Sequence, residues 1–251
     1  MRNKHIGLVK NALETLSAVS IEKIFLNIYN RLMENFDIEI WLQEFTRKLF
    51  NEFSSRVKFV GLQGSCKRGE FTEDSDVDLL VVLDKLSFDD LEQYKMIVHS
   101  MPFYEKADGI ICGQNEIYNC PKFQLFHLVY DTLPLHGNLL TLIPKFSRED
   151  VLSSVKINAA NLFNEICHSY IYENNDVDVL KQGYKKAFFI LQTLHFLKNN
   201  VYIGSKKELV LELAGEDKEI LLILMNWNSL DVEDNTEFYF EKLLSWIKKR
   251  F

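Results

Sequence analysis

The stretch Gly61–Asp84 reads GLQGSCKRGEFTEDSDVDLLVVLD. A Gly-Ser pair at 64–65 closes the apolar run VKFVGL (57–62), a polar segment follows, and Asp76 and Asp78 stand at the head of VDLLVVL (77–83). VKFVGL reads as a short strand ending in a turn. VDLLVVL is the nearly continuous apolar run expected of a strand covered on both faces. Side chains at i and i+2 on a strand share a face, so the spacing predicts that Asp76 and Asp78 point the same way. Two carboxylates that close repel, and at neutral pH a cation neutralises them or one takes up a proton. Mg²⁺ suits such a pair, because it accepts carboxylate oxygens, keeps waters and is completed by substrate phosphates. The Gly64-Ser65 turn leads into a predicted short helix, whose backbone N–H groups and Ser65 hydroxyl can hold a phosphate. Phosphoryl or nucleotidyl transfer is the chemistry these parts share, with a metal polarising the α-phosphate and activating an attacking hydroxyl.

With those residues in place, GSCKRGEFTEDSDVDLLVV resembles the nucleotidyltransferase superfamily related to DNA polymerase β, whose signature is Gly-Ser, about ten residues, then Asp-x-Asp in a hydrophobic strand. Ten residues, 66 to 75, separate Ser65 from Asp76 here. Arg68-Gly69-Glu70 and Ser75-Asp76 match the finer pattern of the small bacterial members. The resemblance implies that Asp76 and Asp78 bind metal and that Gly64 and Ser65 hold the triphosphate of ATP or another NTP. It also implies a third carboxylate on a later strand, binding metal and acting as general base. Asp108, opening DGIIC (108–112), is preferred for that place by strand order. Asp131, at the end of FQLFHLVYD, is the competing candidate.

The later half sharpens the resemblance toward the antibiotic nucleotidyltransferases that adenylylate aminoglycosides. LQTLHFLKNNVYIGSKKEL (191–209) places Thr193 and Ser205-Lys206 as in the streptomycin/spectinomycin type, and by that analogy Lys206 contacts the nucleotide phosphates. The function so implied is Mg²⁺-dependent transfer of NMP, AMP foremost, from an NTP to a hydroxyl of a small cationic acceptor such as an aminoglycoside, releasing pyrophosphate. A protein acceptor, as in antitoxin-type members, and a catalytically silent nucleotide-binding module are the alternatives.

The expected fold class is α+β: residues 1–145 as a nucleotidyltransferase α/β domain with a mixed sheet and a helical N-terminal extension, and 146–251 as an all-α domain. Helical periodicity runs through 4–34, broken near Ser17–Ser20 with Ser20 as a cap. In 38–53, Trp41, Phe45 and Leu49 recur every four residues, and Leu42, Phe50 and Phe53 widen the stripe. Residues 88–101 return to helical spacing, with Ser87 as N-cap. FQLFHLVY (123–130) is left open between strand and buried helix. After Pro144 the pattern is helical to the end, opened by a capping box of Ser147 and Asp150 and continuing through 178–199 and 206–225.

The 251 residues carry a net charge of -7, with 47% hydrophobic and 26% charged residues, a globular balance able to bury a core. The basic residues fall in short groups such as Lys185-Lys186 and Lys206-Lys207, which disfavours a long nucleic-acid partner. Cys66, Cys112, Cys120 and Cys167 form no C-x-x-C pair and read as reduced thiols of a cytoplasmic protein. No apolar run is long enough for a membrane span. The partners implied are a nucleotide and a small acceptor, with oligomeric state open. His127 and His195 read as packed histidines, and Arg68 as the partner of Glu70 or Glu73 rather than a phosphate ligand.

Overall fold

A computed structural model describes residues 36–72, 75–173 and 176–251. The helices expected over 4–34, the Ser20 cap and Glu73 lie outside the described residues. In chain order the elements are α1 (Ile38–Phe53), β1 (Val57–Leu62), α2 (Gly64–Lys67), β2 (Val77–Leu83), α3 (Phe88–His99), β3 (Ala107–Gly113), α4 (Gln114–Tyr118) and α5 (Lys122–Tyr130). Then follow β4 (Leu133–His136), α6 (Arg148–Tyr172), α7 (Val177–Asn199), α8 (Lys206–Glu212), α9 (Gly215–Met225) and α10 (Thr236–Ile247). The described residues divide into two compact units, 36–54 with Phe88–Lys106, and Ser55–Ser87 with Ala107–Phe251.

In the first unit, Asp37 caps α1 by accepting from the Glu39 and Ile40 amides at 2.9 and 3.1 Å. The four-residue recurrence of Trp41, Phe45, Leu49 and Phe53 buries all four. Trp41 donates its indole N–H to the Pro102 carbonyl at 2.7 Å, and Phe45 meets Tyr94 of α3 edge-on at 6.1 Å. The stripe is core, as its periodicity predicts.

The second unit holds a four-stranded sheet of order β3-β2-β1-β4, with β2 parallel to β3 and the other pairs antiparallel. Leu79–Leu83 are fully buried, which is why that run lacks alternation. Phe59, Leu80 and Val82 pack with Leu125 and Ile117 on one face. FQLFHLVY resolves as helix α5. Two elements were not legible: α4, and β4, whose Pro134 is tolerated because β4 is an edge strand.

The helical half is built on α6, α7, α9 and α10 around Leu162, Ile166, Leu180, Tyr184, Leu221, Leu243 and Trp246. Each such side chain contributes about 1.5–3 kcal/mol by leaving water. The expected capping box opens α6, Ser147 N–H donating to Asp150 Oδ2 at 2.7 Å and Asp150 N–H to Ser147 Oγ at 3.2 Å. The run 206–225 is not one helix, because Leu213 is extended and splits it into α8 and α9. Phe126 and Tyr130 of α5 pack on Phe196 of α7 at 4.8 and 5.1 Å, joining the sheet layer to the helices. Among the described residues, no helix is long and apolar enough to cross a membrane.

Candidate active site

β1 hands the chain to β2 through the Gln63 N–H, which donates to the Asp78 carbonyl at 2.8 Å. Gly64 follows at φ +67°, a conformation only glycine adopts cheaply. A Cβ there would fall inside the Asp78 carboxylate, well within van der Waals contact of Oδ2 and 2.7 Å from Cγ. The glycine therefore serves two ends, turning the chain into α2 and leaving room for Asp78 against the turn. Ser65 and Glu70 are tied by a backbone bond of 2.9 Å, and the Cys66 thiol donates to the Asp76 carbonyl at 3.2 Å. Burial, and next the Asp78 charge, push that thiol up to about 11, so Cys66 is a neutral strut.

The parallel register of β2 and β3 sets Asp78 directly opposite Asp108. Neighbours in register share a face, so the two carboxylates project together, with Asp76 two residues upstream of Asp78. Gly109, at φ +124°, allows this approach, because a Cβ there would collide with the Leu79 backbone. The Asp78 carboxyl is raised above its ordinary value, by burial first and then by the charges of Asp108 and Asp76. Negative charge is thus concentrated where the three aspartates gather. Among the described residues, no group of three His, Cys, Asp or Glu side chains is arranged to hold a metal ion.

Asp131, the competing third carboxylate, is near enough for its charge to raise the Asp78 carboxyl, but its own partners are cations. It ends α5, is 6% exposed, and is paired with the Arg68 guanidinium and, at 3.6 Å, the Lys67 ammonium. Arg68 also reaches Glu70 at 3.6 Å and stands over the Phe188 and Phe189 rings at 5.7 and 5.8 Å. Its pairing with Glu70 is as expected, and Asp131 is the additional partner. Glu70 in turn binds the first residue of α8 twice: Oε1 accepts the Lys206 amide N–H at 2.6 Å, and Oε2 pairs with the Lys206 ammonium. Ser205 makes no side-chain cap, so a glutamate 136 residues away caps α8 instead. Thr193 does not face the aspartates. Its hydroxyl donates to the Phe189 carbonyl and meets His127 Nε2 at 2.9 Å. His127 is held neutral, its value pushed down to about 4 chiefly by burial, and His195 meets the Val201 carbonyl at 3.0 Å.

Two cavities flank Asp78. One, of about 700 Å³, gathers Ser65, Asp76, Asp78 and Lys206 with Lys181 and Lys185 of α7. Its charged lining is four cations against three carboxylates, the balance suited to a polyphosphate. The other, of about 600 Å³, runs from Gly64 and Asp78 past Ile110 and Ile117 to His127 and Asp131. There, three carboxylates oppose Arg68 alone. The sequence reading missed Lys181, Lys185 and Glu70 as site residues. The four-residue step from Lys181 to Lys185, continued to Phe188 and Phe189, was the available signal for the first two.

The family model for the nucleotidyltransferase domain matches residues 44–108. A Methanocaldococcus jannaschii protein named as a candidate protein adenylyltransferase is 42% identical over 43 residues, 17% of this chain. The chain spans 43% of that relative's length. The spectinomycin adenyltransferase AAD(9) of Enterococcus faecialis, solved with ATP and spectinomycin, superposes with a TM-score of 0.55 at 13% identity, covering 84% of this chain and 99% of that one. At that identity the likeness is one of fold. A nucleotidyltransferase-like protein from Exiguobacterium sibiricum matches at 11% identity over 83% of this chain and 75% of its own, with a TM-score of 0.33, too low to bear on the reading. The matched segment carries both the Gly64-Ser65 turn and the in-register Asp78 and Asp108, so residues 44–108 hold a nucleotidyltransferase domain.

Proposed function

We propose that the chain is an Mg²⁺-dependent adenylyltransferase, moving AMP from ATP to a hydroxyl of a small acceptor and releasing pyrophosphate. The observation that carries this is the in-register pair Asp78–Asp108, set against a Gly64-Ser65 turn that opens on a lysine-bearing cleft. Asp76 and Asp78 would hold Mg²⁺ together with substrate phosphates, and the ion would withdraw charge from the α-phosphate. The Ser65 hydroxyl and the backbone of the turn hold the triphosphate, with Lys206 at its flank. Asp108, on the edge strand and exposed, takes the proton of the acceptor hydroxyl. The freed oxygen bonds to the α-phosphorus while the bond to the β-bridging oxygen breaks, and pyrophosphate carries away the electron pair.

The second cavity takes the acceptor, since its excess of carboxylates suits a cation. An aminocyclitol antibiotic is the first choice, as AAD(9) was solved with spectinomycin and shares the fold over most of this chain. In that role the protein confers resistance and works in the cytoplasm, where ATP and Mg²⁺ are supplied. Residues 1–145 and 146–251 remain our division into transferase and helical domains. A protein hydroxyl is the second reading, favoured by the candidate protein adenylyltransferase matched over 43 residues. Pyrophosphate release from ATP with spectinomycin, streptomycin or a lysate protein fraction tests both. Wild-type release that is absent in Asp76→Asn supports transfer, and the responding acceptor selects the reading. Equal release from both proteins sinks it.

A further inference from the structure

Resting on the nucleotide-binding reading above, we infer that the turn Asn226–Ser229, with Lys181, is the nucleobase subsite and selects adenine. The phosphate end of the 700 Å³ cleft is fixed by Ser65, Asp76, Asp78 and Lys206, so the base of the same nucleotide must lie at the other end. That end is walled by Lys181 and by Met225 through Ser229. Phe188 stands under the Lys206 ammonium at 5.3 Å, and Lys181 lies seven residues before it on α7. At 1.5 Å per residue this is about 10 Å along the axis, enough for a nucleoside beyond its phosphates.

The turn is built rigid. Trp227 is 8% exposed and wedged between the rings of Tyr184 and Tyr239 at 5.5 and 6.4 Å. The Ser229 hydroxyl donates to the Asn226 carbonyl at 2.8 Å, and the Asn226 amide donates one N–H to the Leu222 carbonyl at 2.8 Å. Asn228, exposed on the same turn, has the more of its amide to spare. Its Oδ1 takes only a 3.5 Å contact from the Lys181 ammonium, and its NH₂ makes no hydrogen bond among the described residues. An amide offering a donor beside an acceptor matches the N7 and N6 edge of adenine, whereas guanine offers two acceptors there. Met225 supplies the adaptable apolar contact.

The test compares binding of ATP, GTP and inorganic tripolyphosphate, each with Mg²⁺, to the full chain, using wild type, Asn228→Leu, Asn228→Asp and Lys181→Ala. Wild type should bind ATP more tightly than GTP and tripolyphosphate. The Asn228 variants should lose about tenfold or more for ATP while tripolyphosphate affinity stays within about twofold. Asn228→Asp keeps the side-chain shape, so it answers should Asn228→Leu fail to fold. ATP affinity unchanged in Asn228→Asp and Lys181→Ala would overturn the subsite while leaving the phosphate site standing. Wild type that binds neither ATP nor tripolyphosphate would overturn both.

Discussion

Replacing Gly64 by alanine puts a methyl group where the Asp78 carboxylate lies, and its cost has two separable parts. The backbone at φ +67° penalises an L side chain by about 1–2 kcal/mol. The new Cβ also overlaps Asp78 Oδ2 and sits 2.7 Å from its Cγ, so the carboxylate must swing off its rotamer, adding about 0.5–1.5 kcal/mol. The total, about 1.5–3.5 kcal/mol, lowers the melting midpoint by about 3–14 °C at this chain length. The two parts separate in a double-mutant cycle. In an Asp78→Ala background the nearest contact relaxes to the Asp78 Cβ at 3.2 Å, so Gly64→Ala should then cost only its backbone part. Urea or thermal unfolding of the four proteins measures the coupling, expected near 1 kcal/mol. Costs that add within about 0.5 kcal/mol would refute the claim that turn and carboxylate share one space. In the enzyme, a carboxylate displaced by an ångström or more should lower turnover about 10²-fold.

Two further outcomes follow from the interior. Glu70→Ala removes the acceptor that the Lys206 amide meets among the described residues and should cost about 1–2 kcal/mol, whereas Glu70→Gln keeps an acceptor and should lose less, as thermal melts of the two variants will show. His127 is neutral in the fold with a value near 4 against an ordinary 6.5, so it contributes stability above pH 6.5 that is lost as pH falls through about 4. The melting curve of wild type should therefore fall away from that of His127→Gln across this window, by at most about 3 kcal/mol, and parallel curves would contradict it.

The elements that the sequence made legible are those whose signal is local. Asp76, Asp78 and the Gly64-Ser65 turn sit within fifteen residues, and the 38–53 stripe needs only its own period. FQLFHLVY stayed open because an eight-residue apolar run serves strand and helix alike, and only packing on α7 decides it. LPLH escaped notice because its proline argues against a strand unless the strand is known to lie at an edge. Asp108 was preferred over Asp131 from strand order alone, whereas its opposition to Asp78 depends on Gly109, whose role appears only when two backbones meet. The Glu70–Lys206 and Arg68–Asp131 links span 136 and 63 residues, distances at which no periodicity reports a contact.

The most direct test of the central claim is to follow label from ATP marked separately at the α- and γ-phosphates, with Mg²⁺ and the acceptor that releases pyrophosphate. Adenylyl transfer moves the α-label onto the acceptor and the γ-label into pyrophosphate in equal amounts, and Asp78→Asn abolishes both. A γ-label found on the acceptor, or in free phosphate without α-transfer, would contradict it.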